Sequence, residues 1–142
     1  MTSLSFPDVN VWLALLIADH RSRMAARRWF ETTSDDVIAF SRFTQISVLR
    51  LLTTSGAMQG KPLTMTEAWH AYDRLFEDDR VALLPEPAGA EELFRKHASG
   101  RHASPKVWAD AYLVAFAERT EATLVTFDHA LARRSRSCLL LQ

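Results

Sequence analysis

The sequence predicts an α/β fold in three layers, helices covering both faces of a central, mostly parallel sheet. Short apolar segments, bounded by polar or turn residues, alternate with longer segments of helical periodicity, the pattern of a buried parallel sheet. Two aspartates, Asp8 and Asp128, close apolar strand-like segments immediately before helical ones, which is where α/β proteins bind ligands. A chain of 142 residues with a 48% hydrophobic share is large enough to bury a core without disulfides and fits one domain spanning 1–142.

The elements follow in order. Ser3 to Phe6 reads as a short strand and Val9 to Ala18 as an apolar helix. His20 to Thr32 predicts a second helix, with Met24, Ala25 and Trp29 at helical spacing. Val37 to Phe40 is a buried strand, and Thr44 to Leu52 a helix stopped by Thr53-Thr54-Ser55-Gly56. Thr64 to Phe76 carries an apolar stripe of Ala68, Tyr72, Leu75 and Phe76, and Arg80 to Leu84 is a strand ended by Pro85-Glu86-Pro87. Ala88 to Ala98 and Pro105 to Arg119 are helices, the second with proline suited to its first turn. Thr123 to Phe127 is a strand, followed by a short helix from His129 and a last strand near Cys138. No repeat, low-complexity tract or linker interrupts the series.

Composition excludes several functions. Lys+Arg and Asp+Glu number 17 each, so the chain as a whole has no net field to attract a polyanion. Basic residues are nevertheless clustered: Lys96, Arg101 and Lys106 precede Asp110, and Arg133, Arg134 and Arg136 follow Asp128. Such clusters let a phosphate backbone approach an acidic cleft. The single cysteine, Cys138, rules out a disulfide within the chain, reads as a small buried residue, and favours a reducing, cytoplasmic setting. No segment has the run of apolar residues a membrane span needs, and the N-terminal segment lacks the basic flank of a signal peptide. The five histidines form no zinc-ligand spacing, and there is neither a glycine-rich phosphate loop nor a GxSxG nucleophile motif.

Asp110 is the sharpest candidate. From Val107 to Ala117 the chain is apolar almost all round a helix, and Asp110 is its only ionisable group apart from the Tyr112 phenol. A carboxylate in a buried helix needs a cation, hydrogen-bond donors or a water-filled cleft. Lys106, one turn earlier, offers an i,i+4 partner, though in the weaker order. Asp8 and Asp128 stand equally well as helix N-caps, and capping is compatible with chemistry. If the three carboxylates converge, their mutual repulsion calls for a divalent cation, and oxygen ligands favour Mg2+ or Mn2+. Such a site activates water and stabilises the leaving oxygen of a phosphodiester.

Three segments together carry a family likeness: Phe6-Pro7-Asp8-Val9-Asn10-Val11-Trp12, Trp108-Ala109-Asp110-Ala111-Tyr112-Leu113-Val114-Ala115, and Thr126-Phe127-Asp128. In order and spacing the chain resembles the PIN-domain ribonucleases, specifically the VapC-type toxins of toxin–antitoxin pairs. The resemblance implies a PIN-like α/β/α sandwich, Mg2+-dependent hydrolysis of RNA, inhibition by a small VapB-type antitoxin, and a homodimer. It also implies that Asp8, Asp110 and Asp128 are catalytic metal ligands, supported by Asn10 and Thr126. The family usually carries a glutamate on the helix after the second strand, and the expected alignment places Gln45 there as a fourth catalytic residue, with an oxygen but no charge. That substitution opens an alternative: a weakened module that binds RNA or a protein without efficient cleavage. Two other acid-based folds fit less well. A receiver domain wants paired acids after its first strand and an aspartate in a middle strand, and a haloacid-dehalogenase-type phosphatase wants Asp-x-Asp where this chain has Asp8-Val9-Asn10. Of the four tryptophans and eight phenylalanines, most are expected in the core, with some available to stack bases.

Overall fold

A computed structural model describes residues 2–142. In chain order the elements are β1 (Leu4–Pro7), α1 (Val9–Leu16), α2 (Arg23–Thr32), β2 (Val37–Phe40), α3 (Arg42–Leu52), α4 (Met65–Leu75), β3 (Val81–Leu83), α5 (Ala90–His97), α6 (Pro105–Thr120), β4 (Thr123–Thr126), α7 (His129–Arg134) and β5 (Cys138–Leu140). The strands form one parallel sheet in the order β3-β2-β1-β4-β5.

Alternation along each strand divides the interior in two. On β2, Ile38 and Phe40 face one side and Ala39 the other, and on β4 Val125 and Leu124 divide likewise. The first side is covered by α1 to α4, through Trp12, Trp29, Val48, Leu52 and Tyr72. Trp12 stacks on Phe40 at 4.0 Å between ring centres, and both are fully buried, each contributing roughly 1.5–3 kcal/mol through burial. The second side is covered by α6 and α7, with Leu113, Phe116 and Leu131 against Phe6 and Leu124. Helix α5 packs on α6.

Local chemistry sets the ends of the helices. α3 starts at Arg42, two residues before the expected Thr44, because Ser41 and Thr44 form a reciprocal capping box. α2 starts at Arg23 rather than His20, because the His20 ring accepts the Ser22 N–H and so folds those residues into a turn. α6 opens with Pro105 in its first turn and closes at Glu121, which has φ +58° and is left-handed.

Two expectations about burial need correction. Cys138 is only half-buried, because β5 is an edge strand. Most of the tryptophans and phenylalanines are core as expected, with Phe6, Trp12, Trp29, Phe40 and Phe116 buried and Phe30, Phe76 and Phe127 packed against them, while Trp69 is 45% and Trp108 60% exposed. The apolar surround expected for α6 holds from Ala111 to Ala117 but not in its first turns, where Trp108 faces solvent.

Candidate active site

β1 and β4 are neighbours at the centre of the sheet, but β2 lies beyond β1 on one side and β5 beyond β4 on the other. The strand order reverses between them, so their carboxyl ends flank the crevice in which α/β sheets bind ligands. Asp8 follows β1 directly and Asp128 follows β4 by one intervening residue.

Asp8 is 6% exposed and caps α1, accepting the N–H groups of Asn10 and Val11 at 3.0 and 3.3 Å. Its other oxygen accepts the hydroxyl of Thr126, the fully buried last residue of β4. The same hydroxyl accepts the backbone N–H of Asp128 at 2.9 Å, so Thr126 joins the two acidic segments through one oxygen. Asp128 in turn caps α7 through the N–H groups of Ala130 and Leu131. Both aspartates are therefore caps, and both also line a cleft of about 300 Å³ with Asp110, Asn10, Phe43, Ser47, Arg50 and Lys106.

Electrostatics within the cleft are uneven. Burial pushes the Asp8 carboxyl above its ordinary value, with the charge of Asp128 adding to the effect against its hydrogen bonds. Burial also raises Asp110, where Lys106 and Arg134 oppose the shift and Asp128 reinforces it. At Asp128 burial is outweighed by the Lys106 ammonium and by the helix N–H groups, and the carboxyl falls below the ordinary value. Lys106 thus reaches across the cleft to Asp128, at 3.1 Å, rather than forming the i,i+4 pair with Asp110 that its position allows.

Gln45 does not join the acids. Its side chain accepts from Arg42 at 2.7 Å and lines a separate apolar groove between α3 and α4 with Ile46, Leu49, Met65 and Trp69. The reason is helical phase: two residues correspond to about 200° of rotation, so Ser47 faces the cleft when Gln45 faces away. Phe43, Ser47, Arg50 and Leu51 are the α3 residues on the acid side. Their spacing of four, three and one was the available signal, and it is readable once one of them is fixed in place.

As placed, no three His, Cys, Asp or Glu side chains among the described residues stand close enough together to grip a metal ion. The fit is one of donor chemistry: three hard carboxylates in one cleft, two of them raised by burial and by a like charge, with a lysine ammonium already on the third. Such a donor set suits Mg2+ or Mn2+.

An open parallel sheet with carboxylates gathered at its switch point defines the class of acid-cleft α/β proteins. More narrowly, the chain belongs to the PIN-domain family, whose model matches residues 5–137. It is 45% identical over 131 residues to Ribonuclease VapC41 of Mycobacterium tuberculosis, a match covering 89% of this chain and 90% of that one. Among solved structures, its fold is similar to that of Mycobacterium tuberculosis VapC20, described as a sarcin-ricin loop cleaving toxin. That similarity has a TM-score of 0.66 at 18% identity, over 93% of this chain and 95% of the other. VapBC2 from Rickettsia felis, bound to a DNA fragment from its promoter, matches with a TM-score of 0.67 at 14% identity, over 98% and 99%.

Proposed function

We propose that this chain is the toxin of a toxin–antitoxin pair, an endoribonuclease that hydrolyses RNA phosphodiester bonds at the cleft of Asp8, Asp110 and Asp128. The observation that supports the assignment of the site is that these three acids, from three separate segments, line one cleft beside the switch point of the sheet. A divalent cation held by them, Mg2+ or Mn2+, would lower the pKa of the attacking water and neutralise charge on the phosphodiester. The chain's own part is to keep the oxygens in place. Thr126 fixes one oxygen of Asp8, the first turn of α1 fixes the other, and α7 fixes Asp128. Phe43 and Leu113 give the same cleft an apolar part of its wall. No histidine lines the cleft among the described residues, which supports metal-assisted rather than histidine acid–base chemistry.

The likeness to a VapBC pair supports an antitoxin as the protein partner. Exposed Ile46, Met65 and Trp69 line the groove between α3 and α4, Arg42 and Arg50 stand at its edge, and Arg50 also lines the acid cleft. A partner segment seated in this groove reaches the active site through Arg50. The weakened-module reading draws support from one observation: the α3 residues on the acid side, Phe43, Ser47, Arg50 and Leu51, include no carboxylate.

The deciding experiment incubates the purified protein with single-stranded RNA in Mg2+, in Mn2+ and in excess chelator. Cleavage should require one of the two ions and should not require Zn2+. Undiminished cleavage in chelator would overturn the metal assignment. Tight RNA binding without turnover in either ion would favour the weakened module.

A further inference from the structure

Lys106 stands in the first turn of α6, lines the acid cleft, and holds Asp128 at 3.1 Å with its side chain 68% exposed. An ion pair so exposed contributes little to stability. Its placement therefore calls for another explanation. A cleft with three carboxylates repels an RNA strand, the chain as a whole carries no net charge, and of the two cations that line the cleft, Arg50 and Lys106, it is Lys106 that is bonded to one of the carboxylates. Arg134, the other cation that acts on Asp110, is tied to the His97 carbonyl at 2.7 Å. The Lys106 ammonium has three donors on a flexible stem, and Asp128 takes one of them.

We propose that Lys106 is a substrate-positioning residue: its ammonium, tethered at the cleft by Asp128, grips a phosphate of the RNA strand and draws the backbone towards the carboxylates. The proposal rests on the ribonuclease reading above. A lysine that grips a phosphate releases counterions, whereas a lysine that only braces Asp128 does not, so the salt dependence of RNA binding separates the two roles.

The test measures binding of a labelled single-stranded RNA across a potassium chloride series, in a cleavage-deficient Asp110→Asn background, with and without Lys106→Met or Lys106→Arg. Lys106→Met should weaken binding at low salt and reduce the log–log salt slope by about 0.7, the value for one phosphate contact on a single strand. Lys106→Arg should restore the slope. A second readout follows from the same geometry: Lys106→Met should tighten Mn2+ binding in the otherwise wild-type protein, because a positive charge leaves the site. Equal salt slopes for the methionine variant and its parent overturn the proposal whatever the Mn2+ result. Failure of both proteins to bind RNA overturns the ribonuclease reading and the proposal with it.

Discussion

Replacing Thr126 with valine tests how the site is held together, because the change keeps shape and removes one oxygen. That oxygen donates to the buried carboxylate of Asp8 and accepts from the Asp128 N–H. A hydrogen bond to a charged group contributes roughly 1.5–3 kcal/mol, and the half-buried N–H left without its acceptor adds about 0.5–1 kcal/mol. Thr126→Val should therefore destabilise the fold by about 2–4 kcal/mol at neutral pH. The pH dependence makes the prediction specific. Burial raises Asp8 in the folded protein above its unfolded value, so the folded state binds more protons between the two values and stability falls as pH climbs through that window. Removing the Thr126 donor raises Asp8 further. The deficit of the variant should thus be smallest below the ordinary carboxylate value, where Asp8 is neutral, and reach its full size once pH exceeds the folded value. Urea unfolding of both proteins at acid and neutral pH reads the difference directly. A deficit that is the same at both would show that Thr126 acts through packing and not through the Asp8 charge.

Further outcomes follow from the same geometry. Asp110→Asn should lower RNA cleavage by roughly a hundredfold or more while leaving the circular dichroism spectrum unchanged, and wild-type turnover would remove Asp110 from the site. Because Asp8 and Asp110 are both raised, protons should compete with the cation above the ordinary carboxylate range. Activity should therefore fail on acidification earlier than for unperturbed carboxylates, and a pH–rate profile in limiting Mg2+ checks this. Gln45→Glu should leave metal affinity unaltered, whereas Ser47→Glu should tighten it, read by Mn2+ titration; the reverse order would mean that α3 is rotated from its present phase. Trp69→Ala should weaken capture of the cognate antitoxin without changing cleavage by the free protein, as measured by calorimetry and RNA turnover.

Much of this arrangement was legible in the residues themselves. β2 is bounded by polar neighbours and Ser41, so its limits coincide with the expected ones, and Pro105 fixed the start of α6. Asp8 and Asp128 stood out because a carboxylate beside an apolar strand needs a partner, and each has several. What could not be read was rotation about a helix axis. On α3, Gln45 and Ser47 are both polar and both nearly buried, and only the packing of Val48 and Leu52 into the core decides which one faces the acids. Lys106 was ambiguous for a related reason: its stem reaches both Asp110 along the helix and Asp128 across the cleft, and tertiary proximity decided between them.

Thr126 and Asp8 touch across a separation of 118 residues, so the two sides of the site come from distant parts of the chain. Contacts of such range form late, since a long loop must close before they yield any energy. While the chain leaves the ribosome, the segment bearing Asp8 emerges first and waits for β4 to be synthesised and docked beside β1. A product that stops before β4 therefore has Asp8 but no complete acid cleft. That order of assembly withholds the cleft until β4 has been made and docked.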